Sequence, residues 1–160
     1  MKSRNEKKII FCKTRDPYGE FSNFYVSIMN INGIEYLSVE NYYQSKKYEN
    51  TEWEEYIRNQ PSPYEAKREA YRKDIKEYIK FNWDEIKILV MGKALHHKFK
   101  NPVLRNLLFS TGTAELIEYS KHDYFWGRNE DGAGYNMLGK LLMELREEIR
   151  CEEHKKNKFF

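Results

Sequence analysis

The sequence has few of the residues that cross-link a protein or anchor it to a membrane. It contains two cysteines in 160 residues, Cys12 and Cys151, which stand near opposite ends without a CxxC pair or histidines at ligand spacing. This excludes a disulfide framework and gives no indication of a zinc site. The apolar run at residues 9–12 is too short for the core of a signal peptide, and no run approaches the length of a membrane span. We therefore expect a cytoplasmic protein with no metal site and no membrane contact.

Prolines and glycines are also sparse, and the excess of positive charge is small. Four prolines and eight glycines fall at the ends of expected elements, and no linker or internal repeat interrupts the chain. A chain of this length accommodates one ordinary domain. We predict a single domain over residues 1–160, with frayed tails at 1–7 and 152–160. The net charge of +3 is far below that of a protein that coats DNA, but it favours a phosphorylated ligand.

Periodic apolar and aromatic residues predict an α+β fold. The hydrophobic pattern predicts strands at 8–13 and 113–119, a hairpin at 27–36 that turns at Asn32-Gly33, and helices at 38–49, 52–60, 63–80, 83–99 and 136–150, with a further short helix from 101. Ser38 is the expected N-cap of the first of these helices, and Asn82 with Glu85 forms an expected capping box. Together these elements predict a mostly helical domain around a small β-sheet.

The helix that begins at Ser38 presents an ordered set of polar groups. Glu40, Gln44 and Lys47 stand at positions i, i+4 and i+7, so a carboxylate, an amide and an ammonium group share one face. A favourable interaction with the helix dipole is the ordinary explanation for a glutamate near a helix start, and catalysis is the alternative.

Residues 123–136 form a second polar segment. Asp123 is either a turn residue or a second functional carboxylate, and Trp126, like Trp83 elsewhere, either fills the core or stacks on a flat ligand. Gly132 and Gly134 precede the last helix, where their backbone N–H groups either cradle a phosphate or belong to a tight turn.

Four segments in order along the chain resemble the motifs of one family. They are YGEFSNF at 18–24, ENYYQSKKY at 40–48, NW at 82–83 with Met91, Ala94-Leu95 and Lys98-Phe99, and LIE at 116–118 followed by Asp123, WG at 126–127, GAGYNMLG at 132–139 and LMELR at 142–146. Together they resemble the YbiA-like family, also called the NADAR domain family, over nearly the whole chain. Members of this family are N-glycosidases.

The resemblance implies a YbiA-like fold and hydrolysis of an N-glycosidic bond without a cofactor. Glu40 would stabilise positive charge on the sugar and orient or deprotonate water, and Asp123 would assist the water or protonate the leaving group. Trp83 or Trp126 would stack on the base. The phosphate or ribose would be held by Gly132, Gly134, Asn136, Lys47 and Lys98. The other substrate-binding positions that the motifs imply are Tyr18, Gly19, Phe21, Ser22, Asn23, Tyr43 and Gln44.

Two substrates and one non-enzymatic function remain open at this point. The substrate is either an early phosphoribosylamine intermediate of riboflavin synthesis or ADP-ribose attached to a guanine base of nucleic acid. The alternative is a nucleotide or ADP-ribose binding module that catalyses nothing, in which Glu40 is only a helix-start residue. Asn41 replaces the family's histidine and Asn129 replaces a glycine, and both bear on which base or sugar is accepted.

Overall fold

The computed structural model describes residues 7–158, so most of the predicted tail at 1–7 and the last two residues of the predicted tail at 152–160 lie outside the described residues. Contacts divide the described chain into two units. One unit is continuous, from Asn23 to Lys100, and the other joins the segment that ends at Ser22 to the segment that begins at Asn101.

The continuous unit begins with a hairpin and continues with four α-helices. Strands β1 to β4 and helices α1 to α6 are numbered along the whole chain. In this unit they are β2 (Met29–Ile31), β3 (Ile34–Tyr36), α1 (Val39–Lys46), α2 (Glu52–Arg58), α3 (Pro63–Ala70) and α4 (Trp83–Lys98). The strands are antiparallel, with Met29 opposite Tyr36, and both turn residues have positive φ, 55° at Asn32 and 82° at Gly33. The predicted hairpin and its turn are confirmed.

The predicted helix at 63–80 is wrong in its second half. Helix α3 ends at Ala70, and a 3₁₀ helix follows at Lys73–Tyr78. Arg72 is extended, with φ −61° and ψ 138°, and the Tyr48 hydroxyl donates a 2.6 Å hydrogen bond to the carbonyl of Ala70. The break allows Ile75 to enter the same core cluster as Tyr48. The remaining members of this cluster are Ile57, Ala66 and Ala70.

The predicted capping box at Asn82 is also wrong, although helix α4 begins where it was expected. The backbone of Asn82 is close to helical, with φ −98° and ψ 20°, and its side chain makes no capping hydrogen bond. Its Oδ1 atom is buried and has no hydrogen-bond partner among the described residues. By contrast, Ser38 caps α1 as predicted, because its Oγ accepts a hydrogen bond from the N–H of Asn41 at 3.1 Å.

The second unit is built on one parallel strand pair. It contains β1 (Lys8–Phe11), a 3₁₀ helix at Gly19–Phe21, α5 (Pro102–Ser110), β4 (Glu115–Glu118) and α6 (Met137–Asn157). Strands β1 and β4 pair in parallel, with Lys8 opposite Glu115, although more than a hundred residues separate them in the chain. The small sheet of the prediction is therefore two separate two-stranded sheets within the described residues. The predicted α+β class, mostly helical, is confirmed.

Helix α6 continues through residues that were predicted to be a frayed tail. It runs to Asn157, seven positions beyond the expected end at residue 150. Arg105 on α5 explains the extension, because its guanidinium contacts Glu152 at 2.7 Å and Glu153 at 3.0 Å. These ion pairs hold the last turns of α6 against α5.

Candidate active site

Glu40 lies in the first turn of α1 and is almost completely buried. Glu40 is 4% exposed, and its backbone N–H donates a 3.1 Å hydrogen bond to the carbonyl of Asn23. The position favours a carboxylate, because the N-terminal end of a helix carries partial positive charge. A surface glutamate would satisfy the dipole equally well, so the dipole does not explain why this carboxylate is buried.

Gln44 holds the Glu40 carboxylate in place. One turn along α1, its Nε2 donates a hydrogen bond to Oε1 of Glu40 at 2.6 Å. A charge-assisted bond of this length orients the carboxylate within the site. The predicted i, i+4 pairing of these two side chains is thus present in the structure.

The Tyr43 ring on α1 and the ammonium group of Lys47, directly after α1, lie near further aromatic rings. The Tyr43 ring packs against Trp83 with centroids 5.0 Å apart. The Nζ atom of Lys47 lies 5.6 Å from the centre of the Tyr43 ring and 4.4 Å from that of Tyr71. A buried cation between two rings is stabilised by their quadrupoles. The structure thus places the ammonium group of Lys47 near two rings, and one of these, Tyr43, also packs against Trp83.

Tyr71 and Tyr25 were missed by the sequence analysis. Tyr71 follows the end of α3 and provides the closer of the two rings at Lys47. Tyr25 lies 5.6 Å from the ammonium group of Lys98, which is only 1% exposed. No sequence signal identified these tyrosines, because each reaches its lysine from a segment distant in the chain.

An ion-pair network supports the end of α1. Lys46 contacts Glu49 at 3.2 Å and Glu54 at 2.5 Å, and Lys80 contacts Glu49 at 2.5 Å. Burial alone would lower the pKa of Lys46, but the hydrogen bond to Glu54 and the surrounding negative charges outweigh burial and raise it. The N–H of Lys80 also donates to the carbonyl of Lys47 at 2.8 Å. The network thus fixes the backbone that carries Lys47.

Asp123 and Trp126 belong to the other unit, where Asp123 organises a turn. Its Oδ1 accepts hydrogen bonds from the N–H groups of Phe125 at 3.0 Å and Trp126 at 2.9 Å. This is the turn role that the sequence allowed as the ordinary explanation. The Trp126 side chain is partly buried and contacts the Phe125 ring edge-on, with centroids 4.9 Å apart. Catalysis by Asp123 and stacking by Trp126 stay predictions.

Several backbone N–H groups before and at the start of α6 donate to carbonyls of the protein itself. The N–H of Gly132 donates to the carbonyl of Asn129, and those of residues 135–138 donate to the carbonyls of residues 124–127. At Gly134, φ is +123°, and a Cβ would lie 2.3 Å from the carbonyl oxygen of Gly127, so packing requires glycine there. A phosphate contact at Gly132 and Gly134 stays a prediction.

Asn136 connects the start of α6 to β4. Its Nδ2 donates to the carbonyl of Leu116 at 2.8 Å, and its Oδ1 accepts from the N–H of Glu118 at 3.0 Å. Both polar atoms of this buried side chain therefore have a structural role, and its contact with phosphate or ribose stays a prediction.

The segment at 18–22 folds as a tight aromatic turn. Tyr18 has φ 61°, and its ring stacks on Phe21 with centroids 5.7 Å apart. Phe21 is fully buried, and its ring meets Phe11 edge-on at 5.7 Å. A Cβ on Gly19 would lie 2.4 Å from the carbonyl oxygen of Thr14. Gly19 and Phe21 are therefore explained by packing, while substrate contacts by Tyr18 and the buried Ser22 stay predictions.

The two departures from the family pattern have different surroundings. Asn41 is fully buried: its Oδ1 accepts from the Ser38 hydroxyl at 2.7 Å, and its Nδ2 donates to the carbonyls of Arg58 and Gln60 at 3.3 and 3.1 Å. Asn41 thereby joins α1 to the segment after α2, which leaves its amide committed to the fold. Asn129 is half-buried and lines a shallow cavity of about 210 Å³ with acidic neighbours.

Two properties of the described residues bear on other functions. Across residues 7–158 no three His, Cys, Asp or Glu side chains gather closely enough to hold a metal ion. In the same part of the chain, none of the helices has the length and apolarity needed to cross a membrane.

The α+β fold and a buried carboxylate oriented by a neighbouring amide agree with the class of enzyme that hydrolyses glycosidic bonds. The family model of the NADAR domain matches residues 10–150, and the chain belongs to the NADAR domain family. The predicted family is thus confirmed.

Relatives and a solved structure agree with this assignment. N-glycosidase YbiA of Escherichia coli (strain K12) is 39% identical over 146 residues, which are 91% of this chain and 90% of that protein. N-glycosidase Npun_R5314 of Nostoc punctiforme is 36% identical, over 89% of this chain and 92% of its own length. The NMR structure of the E. coli protein YbiA superposes with a TM-score of 0.85 at 37% identity and covers 94% of this chain and 89% of that chain. These names confirm the predicted class of enzyme, an N-glycosidase.

Proposed function

We propose that this protein hydrolyses the N-glycosidic bond between a phosphorylated ribose and the nitrogen of a base or amino-pyrimidine. The observation that carries the proposal is the buried Glu40 carboxylate, which Gln44 holds with a 2.6 Å hydrogen bond. Cleavage of such a bond develops positive charge on the sugar, and a carboxylate shielded from water stabilises that charge more strongly than one in solvent. Glu40 is therefore the proposed charge-stabilising group.

The other predicted residues keep the roles that the resemblance implies. Lys47 carries a positive charge between the Tyr43 and Tyr71 rings and is the proposed partner of the substrate phosphate. Lys98, buried on α4, is a second proposed anion contact. Trp83, packed on Tyr43, offers a ring for the leaving base, with Trp126 as the alternative. Asp123 remains the proposed second carboxylate, which would assist water or protonate the leaving group.

An early phosphoribosylamine intermediate of riboflavin synthesis is the substrate we favour. The maize riboflavin biosynthesis protein PYRR, chloroplastic, is 39% identical over 155 residues, which are 88% of this chain and 25% of that protein. The name of this relative supports a substrate from that pathway. ADP-ribose on a guanine base of nucleic acid is the second candidate, since the sequence analysis implied the same bond in both.

Product analysis by mass spectrometry tests the proposal. The protein is incubated separately with riboflavin-pathway phosphoribosylamines and with an ADP-ribosyl-guanine oligonucleotide, beside Glu40→Gln as the control for each. We expect ribose 5-phosphate and free amino-pyrimidine from the first mixture. Release of ADP-ribose and unmodified guanine from the second mixture alone would replace the favoured substrate. Thermal stabilisation by ADP-ribose without any product would support the binding module instead.

A further inference from the structure

Two buried amide oxygens beside Glu40 have no hydrogen-bond partner among the described residues. They are Oε1 of Gln44 and Oδ1 of Asn23, on residues that are 2% and 5% exposed. Buried carbonyl oxygens in folded proteins almost always accept a hydrogen bond, and each exception calls for an explanation. Asn23 and Gln44 both flank Glu40, since Asn23 accepts from the Glu40 backbone and Gln44 donates to its side chain.

The orientation of the Gln44 amide is forced by its partner. A carboxylate only accepts hydrogen bonds, so the atom that faces Oε1 of Glu40 must be the NH₂ group of Gln44. The amide oxygen therefore lies on the other arm of the same planar group and faces away from the carboxylate. It can be satisfied only by a donor that no described residue supplies.

The proposed reaction supplies a donor at this position. If Glu40 stabilises charge at the carbon that carries the base, the nearest sugar donor is the hydroxyl on the adjacent carbon, the 2′-OH. Because Gln44 bonds the proposed catalytic carboxylate through one arm of its amide group, the oxygen on the other arm is an unpartnered acceptor for this hydroxyl among the described residues. Glycosidases commonly form hydrogen bonds to this hydroxyl that strengthen in the transition state.

We infer that Gln44 determines specificity for the sugar, because its Oε1 accepts a hydrogen bond from the 2′-OH of the substrate ribose. The inference rests on the proposed function. It assigns the enzyme to ribosides and excludes 2′-deoxyribosides as good substrates. A site built around a hydroxyl rejects the analogue that lacks it, since the buried acceptor is then left unpaired.

The first test measures binding and requires no turnover. Ribose 5-phosphate and 2-deoxyribose 5-phosphate are compared as ligands of the wild-type protein by calorimetry. We expect the ribose compound to bind roughly 10- to 100-fold more tightly. Equal affinity would overturn the role of Gln44, whatever the enzyme hydrolyses.

The second test is a cycle that combines Gln44→Met with removal of the hydroxyl from the substrate. Deoxyribosides are intrinsically more labile, but this difference cancels when the ribo-to-deoxyribo ratio of kcat/KM is compared between variant and wild type. We expect Gln44→Met to lower kcat/KM on the riboside and to reduce the ratio roughly 10-fold or more. Asn23→Leu is the matched control, because it removes the other buried amide oxygen beside Glu40, and it should leave the ratio unchanged.

The outcomes separate the inference from the proposed function. An unchanged ratio in Gln44→Met, with hydrolysis intact in the wild type, would refute the inference and keep the N-glycosidase. A ratio that falls in Asn23→Leu instead would also refute it, because Asn23 would then contact the hydroxyl. Absence of hydrolysis by the wild type would refute the proposed function, and the binding comparison, repeated with Gln44→Met, would still decide the role of Gln44. If Gln44→Met fails to fold, the comparison is repeated with Asn23→Leu, and equal affinity for the two sugars in the wild type, or a preference for ribose that Asn23→Leu abolishes, would refute the inference.

Discussion

Replacement of Glu40 by glutamine tests the proposed charge stabilisation most directly. Glu40 is 4% exposed, so its charge acts in a medium of effective dielectric near 20 rather than 80. At such a dielectric, a unit charge about 4 Å from a developing cation contributes on the order of 4 kcal/mol, and partial charge in the transition state reduces this to about 3 kcal/mol. Since about 1.4 kcal/mol corresponds to a tenfold change in rate, Glu40→Gln should lower kcat by on the order of a hundredfold or more.

The same substitution should leave the fold intact. A glutamine carbonyl at position 40 can still accept the hydrogen bond from Nε2 of Gln44, which is 2.6 Å long in the native protein. The weaker neutral bond costs about 1 kcal/mol, and loss of a buried charge offsets part of that cost. We expect the Tm to change by less than about 4 °C.

Steady-state kinetics and thermal denaturation of one preparation provide the assay. Glu65→Gln is the matched control, since Glu65 lies in the first turn of α3 as Glu40 lies in that of α1, and its carboxylate accepts a hydrogen bond from the Ser62 hydroxyl outside the proposed site. It should leave kcat nearly unchanged. Near-wild-type turnover by a folded Glu40→Gln protein would refute the catalytic role of Glu40, and the dipole explanation would then suffice.

Three further predictions concern packing, stacking and pH. Gly134→Val should lower the free energy of unfolding by roughly 2–4 kcal/mol, because its Cβ would overlap Gly127 at a φ of +123°, and an unchanged denaturation midpoint would contradict this. If Trp126 stacks on the leaving base, Trp126→Phe should retain much of the substrate affinity and Trp126→Ala should lose it. If Trp126 instead fills the core, Trp126→Ala should lower the free energy of unfolding by about 3–5 kcal/mol and leave the affinity of the folded fraction unchanged. The hydrogen bond from Lys80 holds the pKa of Glu49 below its ordinary value of 4.5. The ionised Glu49 therefore stabilises the fold above pH 4.5, and this stabilisation is lost as the pH falls through the lower pKa of the native state. Acid denaturation curves of Glu49→Gln should therefore show a smaller loss of stability below pH 4.5 than the wild type, and identical curves would remove Glu49 from the explanation.

Local sequence determined the helix that carries the proposed catalytic group. Ser38 caps α1 through its own hydroxyl, and helical spacing then places Glu40 and Gln44 one turn apart, where they bond at 2.6 Å. The Asn32-Gly33 turn is determined in the same way, since both residues tolerate positive φ. These features depend on neighbours within a few residues, so a single sequence is sufficient to predict them.

Tertiary structure decided which side chains surround those local features. Tyr71 meets Lys47 because α3 ends at Ala70, and that end depends on a bond from Tyr48, 22 positions earlier in the chain. The hydrophobic periodicity predicted a helix that continues past Ala70, because a local pattern contains no information about the distant Tyr48 hydroxyl. Likewise, the sequence predicts a phosphate cradle at the glycines before α6. It does not show that the N–H groups of residues 135–138, which follow those glycines, donate to the carbonyls of residues 124–127. Hydrogen-bond partners and close packing between remote segments arise only when the chain has folded. For that reason the sequence predicted Glu40, Gln44 and Tyr43 but not the Tyr71 ring at Lys47.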